Sequence, residues 1–295
     1  MLPKLIVIEG TNASGKSSLG VELAVRFGGE IISADSRQVY ERLDLGSGKI
    51  TPEETRGIPH HLLNVRKPGD FFSMADFQRL AYEAVDSILA RGRVPFLVGG
   101  TGLYVDAVAD GYELSGRAPD QALRAHLETF DTPALYDMLK EKLPDTDIDP
   151  RNRHRVMRTL ERLAADDWHP PAKASRYSLL KFGVTWPREI LKQRIDKRLE
   201  KRLAEGMVEE VKALLDEGIS EEFLVKLGLE YKYLTWYLTG KIGYEQMVEE
   251  LGNAIKKFAK RQMTWFRRDP RIHWLDMSAD PIKEASALIE SFLNE

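Results

Sequence analysis

The feature that most constrains this chain is a glycine-rich loop between an apolar strand and a helix. Residues 4–9, Lys-Leu-Ile-Val-Ile-Glu, form the short apolar run of a buried parallel strand. Residues 16–27 carry apolar side chains at helical spacing. The loop between them matches the pattern G-x-x-x-x-G-K-S/T, which binds phosphate in this context. Its residues are Gly10, Thr11, Asn12, Ala13, Ser14, Gly15, Lys16 and Ser17.

The physical chemistry of such a loop favours a phosphate chain. Its glycines let the backbone curl so that several N–H groups point at one anion, and the helix N-terminus adds partial positive charge. Lys16 supplies a full charge, and the Ser17 hydroxyl can ligate a Mg²⁺ ion that bridges phosphate oxygens. The loop therefore predicts a ligand with a diphosphate or longer chain. Kinases, NTPases and some transferases share it, so it leaves the reaction open.

Short apolar strands alternate with helices along the first hundred residues. Strands are predicted at 30–33 and 94–98, and a helix at 73–91. Ser73 is the expected N-cap of that helix, with Asp76 in the position that completes a capping box. The alternation predicts an α/β fold with a P-loop NTPase-like parallel sheet flanked by helices.

Three motifs follow the predicted strands: Gly10–Ser17, Asp35–Tyr40 and Gly99–Tyr104. The carboxyl ends of parallel strands meet at one edge of the sheet, where ligands bind in such folds. We therefore expect the three motifs to form one site.

Strand signals disappear between residues 110 and 178, where short helical patterns alternate with Pro and Asp. We expect a small all-helical lobe at 110–178, inserted into a core made of 1–109 and 179–295. The second part of the core is predicted to be mostly helical. Its expected strands are 181–185 and 273–275, and its expected helices are 187–217, 221–239, 244–267 and 281–293.

The composition excludes several classes of protein. With no cysteine among its 295 residues, the chain has no disulfide and no thiolate metal site. A net charge of −3 excludes a uniformly basic nucleic-acid binder. The N-terminus does not resemble a signal peptide, and no apolar run reaches the roughly 18–20 residues of a membrane span. We expect a cytoplasmic protein that does not enter the membrane.

The polar residues after the strands each allow two interpretations. Asp35 fits a general base facing the phosphate loop and fits a helix N-cap equally well. Gln38 has the donor and acceptor that read a base edge, but alone it is better explained as an exposed polar residue. Thr101 offers a hydroxyl to phosphate, or it belongs to a tight turn. The pair His60-His61 favours a structural role over a metal site, because adjacent residues of a strand point to opposite faces.

Basic residues cluster at 151–162 and 256–268, and the second cluster includes Phe258 and Trp265. Because acids are scarce there, we favour RNA binding over a solvated helix face. The basic residues at 188–202 are interleaved with acids, so a solvated helix face explains them better.

Taken together, the motifs resemble the bacterial-type tRNA dimethylallyltransferases, or tRNA isopentenyltransferases, along nearly the whole chain. The most specific string is Asp-Ser-Arg-Gln-Val-Tyr at 35–40, which matches the family's Asp-Ser-x-Gln-Val-Tyr. The phosphate loop resembles the family's Gly-Pro-Thr-Ala-Ser-Gly-Lys-Thr. Further matching strings lie at 59–62, 72–77, 99–104, 155–161 and 260–267, together with Arg194 and Arg198.

The resemblance implies transfer of a dimethylallyl group from its diphosphate to N6 of the adenosine immediately 3′ of the anticodon. It implies Asp35 as the general base and Gln38 as the reader of an adenine that has left the loop stack. Mg²⁺ would bridge the diphosphate, and the diphosphate-stabilising residues would be Thr101, Lys16, Ser17 and Arg198. The implied tRNA-binding residues are Asp35, Ser36, Arg37, Gln38, Thr101, Arg124, His154, Arg155, Arg158, Lys256, Lys257, Lys260 and Arg261.

The chain departs from the family pattern at two positions of interest. Asn12 replaces a threonine of the phosphate loop, and Glu230 replaces the glycine of a Gly-Tyr-Lys string. An acid is unexpected beside RNA, which puts the role of the Glu230 loop in doubt. We expect a monomer that binds the tRNA anticodon stem-loop and dimethylallyl diphosphate.

Three other functions are open on sequence grounds. A small-molecule kinase would place ATP in the loop, but it does not need the basic C-terminal half. A prenyltransferase acting on free adenine nucleotides would use nearly the same site without the RNA-facing patches. A non-catalytic RNA-binding module would use the loop as a switch, and Asp35 and Thr101 beside the loop argue against it.

Overall fold

The computed structural model describes residues 2–114, 120–170 and 172–295. Its centre is one six-stranded sheet in which every neighbouring pair of strands is parallel, in the order β3-β2-β4-β1-β5-β6. This confirms the predicted parallel α/β sheet. The strands are β1 (Lys4–Gly10), β2 (Gly29–Ala34), β3 (His60–His61), β4 (Val94–Gly99), β5 (Ser178–Thr185) and β6 (Ile272–Asp276).

Twelve helices lie in the described parts of the chain. The first three are α1 (Lys16–Phe27), α2 (Met74–Ala90) and α3 (Gly102–Ala109). Three more are α4 (Gln121–Glu128), α5 (Thr132–Lys142) and α6 (Arg153–Ala164). The C-terminal helices are α7 (Arg188–Ala204), α8 (Met207–Asp216), α9 (Glu221–Leu227), α10 (Leu229–Leu238), α11 (Tyr244–Phe266) and α12 (Pro281–Asn294). None of them is long and apolar enough to cross a membrane.

The chain divides into two compact units. One comprises Met1–Gly111 with Ala174–Glu295, and the other is Tyr112–Lys173. The second unit falls within the range 110–178 expected for the inserted lobe, of which 115–119 and 171 lie outside the described residues. Helices α4, α5 and α6 of this unit share a small core, to which Leu127, Leu135, Val156 and Leu160 contribute.

The sheet of the first unit is buried on both faces, as its near-continuous apolar strands require. Because side chains alternate along a strand, Leu5 and Val7 pack with α2 and α3 on one face. Ile6 and Ile8 pack with α1 and α12 on the other face. A third core joins helices α7 to α11 and includes the fully buried Tyr231.

The predicted capping box is confirmed. The Ser73 hydroxyl accepts a hydrogen bond from the Asp76 backbone amide at 3.1 Å, and the Asp76 carboxylate accepts one from the Ser73 amide at 3.0 Å. These two bonds satisfy backbone donors that the start of α2 would otherwise leave unpaired.

Two of the predicted C-terminal helices are wrong in length. The helix expected at 187–217 is divided into α7 and α8 at Gly206, whose φ of +100° lies in the left-handed region that helices do not contain. The helix expected at 221–239 is divided at Gly228, where a side chain would overlap the Arg37 guanidinium. Arg37 donates from Nε to the Leu227 carbonyl at 3.2 Å, so this break is a docking point for the Asp35–Tyr40 segment.

Candidate active site

The Gly10–Ser17 loop has the context that its sequence predicts, since β1 ends at Gly10 and α1 begins at Lys16. Ala13 and Gly15 have φ values of +59° and +90°, which produce the tight curl of the loop. Gly15 is the N-cap of α1 and makes no side-chain capping bond. The first amides of α1 are therefore available to an anion, with the helix dipole behind them.

Three side chains hold the backbone of the loop from outside. The Trp186 indole donates to the Ser14 carbonyl at 2.8 Å, and Arg194 Nε donates to the Ala13 carbonyl at 2.9 Å. The Asn12 amide donates to Gln262 Oε1 at 3.0 Å. The Arg194 guanidinium also lies over the Trp186 ring, 4.5 Å from its centre. The loop is thus held in shape by other parts of the chain.

Sequence reasoning assigned no role to these three residues. Trp186 carried no functional signal, Gln262 entered only as a member of the family string at 260–267, and Arg194 entered only in a family string and among the basic residues at 188–202. One signal was available for Gln262, because it occupies the buried stripe of α11 that Ile255, Ala259 and Phe266 continue. A polar residue in an apolar stripe indicates a buried hydrogen-bond partner.

The three strand-end motifs lie together, as expected from their positions in the sheet. Strands β1, β4 and β2 are neighbours, so their carboxyl ends form one edge. The Ser36 amide donates to Thr101 Oγ1 at 3.1 Å, which joins the Asp35 segment to the Thr101 loop. Gln262 Nε2 donates to the Gly100 carbonyl at 2.8 Å, which joins the Thr101 loop to α11.

A small cleft opens at this edge of the sheet. Four predicted site residues line it, namely Lys16, Ser17, Asp35 and Gln38. Its remaining walls combine apolar and polar side chains from β2, β3, β4 and the segment before β3, which include Ile31, Ser33, Ile50, His60 and Val98. The cleft therefore places a phosphate loop, a carboxylate and an apolar wall around one space.

The structure gives Asp35 a turn rather than a helix to cap. Its Oδ1 accepts a hydrogen bond from the Arg37 amide at 3.0 Å, and the described chain continues from β2 through turns to β3. The helix N-cap interpretation is therefore wrong. The carboxylate lies in the cleft beside Lys16 and acts electrostatically on both Lys16 and Arg198.

Gln38 is held at both ends of its side-chain amide. Its Oε1 accepts a hydrogen bond from Ser33 Oγ at 2.9 Å, and its Nε2 donates to the Gly48 carbonyl at 3.3 Å. A carboxamide has two donor hydrogens and two acceptor lone pairs, so one of each remains. The held amide thus keeps the pair of groups that an adenine edge requires.

The cations of the site are electrostatically destabilised. Burial and, to a smaller extent, the nearby Arg198 charge lower the pKa of Lys16 to about 8, although Asp35 acts in the opposite direction. Burial and then Arg202 lower the pKa of Arg198. Arg198 Nη2 donates to the Gly48 carbonyl at 3.1 Å, the same carbonyl that Gln38 contacts. An anion bound here would relieve the mutual repulsion of these cations.

Two of the predicted RNA-binding arginines within the lobe donate hydrogen bonds to the same carboxylate. Arg124 donates from Nε and Nη2 to Glu161 at 2.7 and 3.1 Å, and Arg158 Nη1 donates to Glu161 at 2.9 Å. Glu161 is 4% exposed. We expected few acids around the basic residues at 151–162. For Arg158 this expectation is wrong, because Glu161 of the same helix pairs with it and with Arg124. His154 and Arg155 are exposed.

Of the predicted RNA-binding residues on α11, one is held in an ion pair and three are exposed. Lys256 pairs with Asp196 of α7 at 2.7 Å, whereas Lys257, Lys260 and Arg261 are exposed. The Arg37 and Arg261 guanidinium groups both lie near the Phe258 ring, 5.6 and 5.5 Å from its centre. The exposed face of α11 therefore combines positive charge with an aromatic ring close to the Asp35 segment.

The doubt about Glu230 is resolved by its burial. Glu230 is 3% exposed, and Arg202 Nη1 lies 3.5 Å from its Oε1. Arg202 also donates to the Gly46 carbonyl at 2.6 Å. The acid belongs to an internal ion pair beneath the 44–49 loop, so it does not face a nucleic acid.

The described residues contain no group of three or more His, Cys, Asp or Glu side chains that could hold a metal ion. His61 Nε2 lies 2.7 Å from Glu30 Oε2, and His60 Nδ1 lies 2.8 Å from the Ile58 carbonyl, which fits the structural role. A Mg²⁺ ion carried by a diphosphate needs fewer protein ligands. The Ser17 hydroxyl and the Asp35 carboxylate share the cleft and supply the oxygen donors that Mg²⁺ prefers.

Comparison with known proteins gives a consistent result. The model of the IPP transferase family matches residues 38–269. The tRNA dimethylallyltransferase 2 of Shewanella sediminis is 45% identical over 97% of both chains. The tRNA dimethylallyltransferase 1 of Geotalea daltonii is 43% identical over 98% of this chain and 96% of its own.

Solved structures agree. The tRNA isopentenylpyrophosphate transferase of Bacillus halodurans superposes with a TM-score of 0.77 at 39% identity, over 99% of this chain and 97% of its own. A eukaryotic dimethylallyltransferase acting on tRNA gives a TM-score of 0.84 at 27% identity, over 99% of this chain and 80% of its own. The chain belongs to the IPP transferase family.

Proposed function

We propose that this enzyme transfers a dimethylallyl group from dimethylallyl diphosphate to N6 of the adenosine 3′-adjacent to the anticodon of tRNA. The observation that carries the proposal is the meeting of three loops at one cleft. The Ser36–Thr101 hydrogen bond joins the Asp35 segment to the Thr101 loop, and Gln262 joins the Thr101 loop to the phosphate loop through its bonds to Gly100 and Asn12. Membership of a family of tRNA dimethylallyltransferases supports the same reaction.

The donor diphosphate fits the Gly10–Ser17 loop. Loop amides and the start of α1 hold its oxygens, while Lys16 and Arg198 supply full charges. During transfer the bond between C1 of the dimethylallyl group and the diphosphate oxygen breaks, and negative charge grows on the diphosphate. Fixed donors around a leaving diphosphate stabilise that charge, which is the main catalytic task of the site.

The acceptor chemistry falls to Asp35 and Gln38. The adenine N6 forms the new bond to C1, and its proton moves to the Asp35 carboxylate. Gln38 offers its remaining donor and acceptor to the adenine edge. The target base must leave the stack of the anticodon loop to reach a cleft lined by Ile31 and Val98.

Mg²⁺ is the proposed cofactor. The Ser17 hydroxyl would hold the ion, which would supply positive charge to offset the charge of the leaving diphosphate. Thr101 complements it, since its hydroxyl accepts from Ser36 and keeps its own hydrogen for a diphosphate oxygen.

The exposed face of α11 supports binding of the tRNA partner. Lys257, Lys260 and Arg261 suit phosphates, and Phe258 suits a splayed base. We propose that the protein acts as a monomer. We place it in the cytoplasm, where its tRNA substrate is found.

One assay tests the proposal against its alternatives. The protein is incubated with Mg²⁺ and radiolabelled dimethylallyl diphosphate, together with an anticodon stem-loop RNA or with AMP, and separately with ATP. We expect label on the stem-loop at the adenosine 3′ of the anticodon. Label on AMP alone would indicate a free-nucleotide prenyltransferase, and ATP turnover without prenyl transfer would indicate a kinase.

A further inference from the structure

We propose that Gln262 is a positioning residue for dimethylallyl transfer. Its side-chain amide sets the spacing between the Gly10–Ser17 loop and the Thr101 loop, so that both contact the same diphosphate. The inference rests on the proposed function for the identity of the donor. The geometry that carries it is independent of the acceptor.

The two ends of one side chain contact two different loops. Gln262 Oε1 accepts from the Asn12 backbone amide at 3.0 Å, and Nε2 donates to the Gly100 carbonyl at 2.8 Å. The side chain is 7% exposed, so water does not compete freely for either group. Asn12 belongs to the phosphate loop, and Gly100 immediately precedes Thr101. A change in the Gln262 side chain therefore acts on both loops at once.

The packing around Gly100 shows how little freedom this spacing has. A Cβ atom at Gly100 would lie 2.9 Å from Gln262 Nε2, 3.2 Å from the Gly10 carbonyl oxygen and 3.4 Å from Lys16 Cε. The Thr101 loop thus approaches the phosphate loop as closely as a glycine permits. The Gln262 amide fixes this approach from the side of α11.

The next turn of α11 is fixed to the same loop. The Trp265 indole donates to Asp106 Oδ2 at 2.9 Å, and its ring covers Gly102, where any side chain would overlap it. Gly102 begins α3 and Thr101 is its N-cap. Since Trp265 anchors the helix against α3, the Gln262 amide is presented from a rigid support.

Only a glutamine supplies both contacts at this reach. Methionine has a similar length and apolar stem but offers neither the donor nor a comparable acceptor. An ionised glutamate keeps the acceptor for Asn12 and cannot donate to Gly100. Asparagine has the same amide on a stem that is one carbon shorter. The series Gln262→Met, Gln262→Glu and Gln262→Asn therefore separates packing, donor and reach.

The experiment measures diphosphate binding and loop protection, besides turnover. Binding of inorganic diphosphate with Mg²⁺ is followed by calorimetry, and exchange of the Asn12 amide by hydrogen exchange. For Gln262→Met we expect an affinity about tenfold or more weaker, the size of effect expected for a lost buried hydrogen bond. We also expect faster exchange at Asn12, a matching rise in KM for dimethylallyl diphosphate, and a KM for the stem-loop within about twofold of wild type.

Ile255→Val is the matched control. Ile255 lies in the same buried stripe of α11 and packs in the core of helices α7 to α11. A similar loss of thermal stability in this variant with unchanged diphosphate affinity would assign the Gln262 effect to positioning. Equal diphosphate affinity and equal Asn12 exchange in wild type and Gln262→Met would overturn the proposal. A wild-type protein that binds diphosphate without transferring dimethylallyl groups would refute the proposed function. The comparison of diphosphate affinity and Asn12 exchange between wild type and Gln262→Met would still test the role of Gln262.

Discussion

The backbone amide of Ser36 donates to the hydroxyl oxygen of Thr101 across 3.1 Å, and this bond ties the segment of the proposed base to the loop of the proposed diphosphate contact. It orients the threonine hydroxyl, because the oxygen accepts from Ser36 and the hydrogen remains to be donated. The two loops follow β2 and β4, which are neighbours in the sheet. The donor and acceptor halves of the reaction are thus linked through one hydroxyl group.

Replacing Thr101 by valine keeps its shape and removes that hydroxyl. We expect kcat to fall by about 10²–10³-fold, the range found when one charge-stabilising donor is removed from an active site. Thr101→Ser should recover most of the activity, because it restores both the donor and the acceptor. Steady-state kinetics with a stem-loop RNA test the pair, and equal activity of Thr101→Val and wild type would contradict the assigned role.

Asp35→Asn tests the proposed general base. The amide oxygen can still accept from the Arg37 amide, so the turn should persist while proton acceptance is lost. We expect kcat to fall by about 10²–10⁴-fold, the usual contribution of a positioned base, with tRNA affinity within about twofold of wild type. Single-turnover transfer and filter binding measure the two quantities. A large loss of tRNA affinity would mean that Asp35 serves RNA binding or structure instead.

The pKa of Lys16 gives donor binding a defined pH dependence. In the free protein burial lowers that pKa to about 8, and a bound diphosphate raises it again because it pairs with the ammonium group. Binding then takes up a proton above pH 8. We expect an affinity for dimethylallyl diphosphate that changes little between about pH 7 and 7.5 and falls by up to tenfold per pH unit above pH 8.

Lys16→Arg is the control for this pH dependence, because a guanidinium stays charged throughout the range. If titration of Lys16 is responsible, the variant should bind dimethylallyl diphosphate with little change between pH 7.5 and 9.5. An equally steep fall in the variant would assign the dependence to another group.

The sheet and the outline of the site could be predicted from the sequence, since strand patterns and loop motifs are local. The apolar runs place β1, β2 and β4, and parallel order then brings Lys16, Asp35 and the Thr101 loop to one edge. The contacts that hold these loops were not predictable in the same way. Gln262 lies 250 residues from its partner Asn12, and no local pattern encodes that distance.

The roles of several charged residues could not be predicted from the sequence either. The sequence places Arg124 far from Glu161 and gives Glu230 the environment of a surface loop. Folding pairs Arg124 with Glu161 and buries Glu230 against Arg202. A charge becomes an RNA contact or an internal ion pair according to tertiary neighbours, which composition does not specify.

Glu9, a buried acid outside the cleft, should make the stability of the fold depend on pH. Glu9 is 1% exposed, and burial raises its pKa to about 8, although Lys181 Nζ lies 3.9 Å away and acts in the opposite direction. The unfolded chain releases this proton near pH 4.5 and the folded chain only near pH 8, so stability falls as pH rises between these values. Glu9→Gln should remove this fall and be more stable at pH 8 by on the order of 1–3 kcal/mol.

Asp269→Asn is the contrasting variant. Hydrogen bonds from Arg271 and Lys181 outweigh burial and hold the pKa of Asp269 below its usual value, so its stabilisation is present at neutral pH and lost in acid. The variant should therefore be destabilised at pH 7. Urea unfolding from pH 5 to 9 measures both variants, and a Glu9→Gln curve parallel to wild type would show that Glu9 is ionised in the fold.

The face of α11 predicts how tRNA binding depends on salt. Lys260 is exposed, whereas Lys256 is held 2.7 Å from Asp196 and is partly neutralised by it. A lysine that neutralises one RNA phosphate contributes about 0.7–0.9 to the slope of log affinity against log salt concentration. We expect Lys260→Gln to reduce the slope by nearly this amount and Lys256→Gln to reduce it clearly less. Filter binding of the stem-loop between 50 and 300 mM KCl, roughly the range over which such slopes are resolved, tests the order. The reverse order would mean that the RNA displaces Asp196 and recruits Lys256.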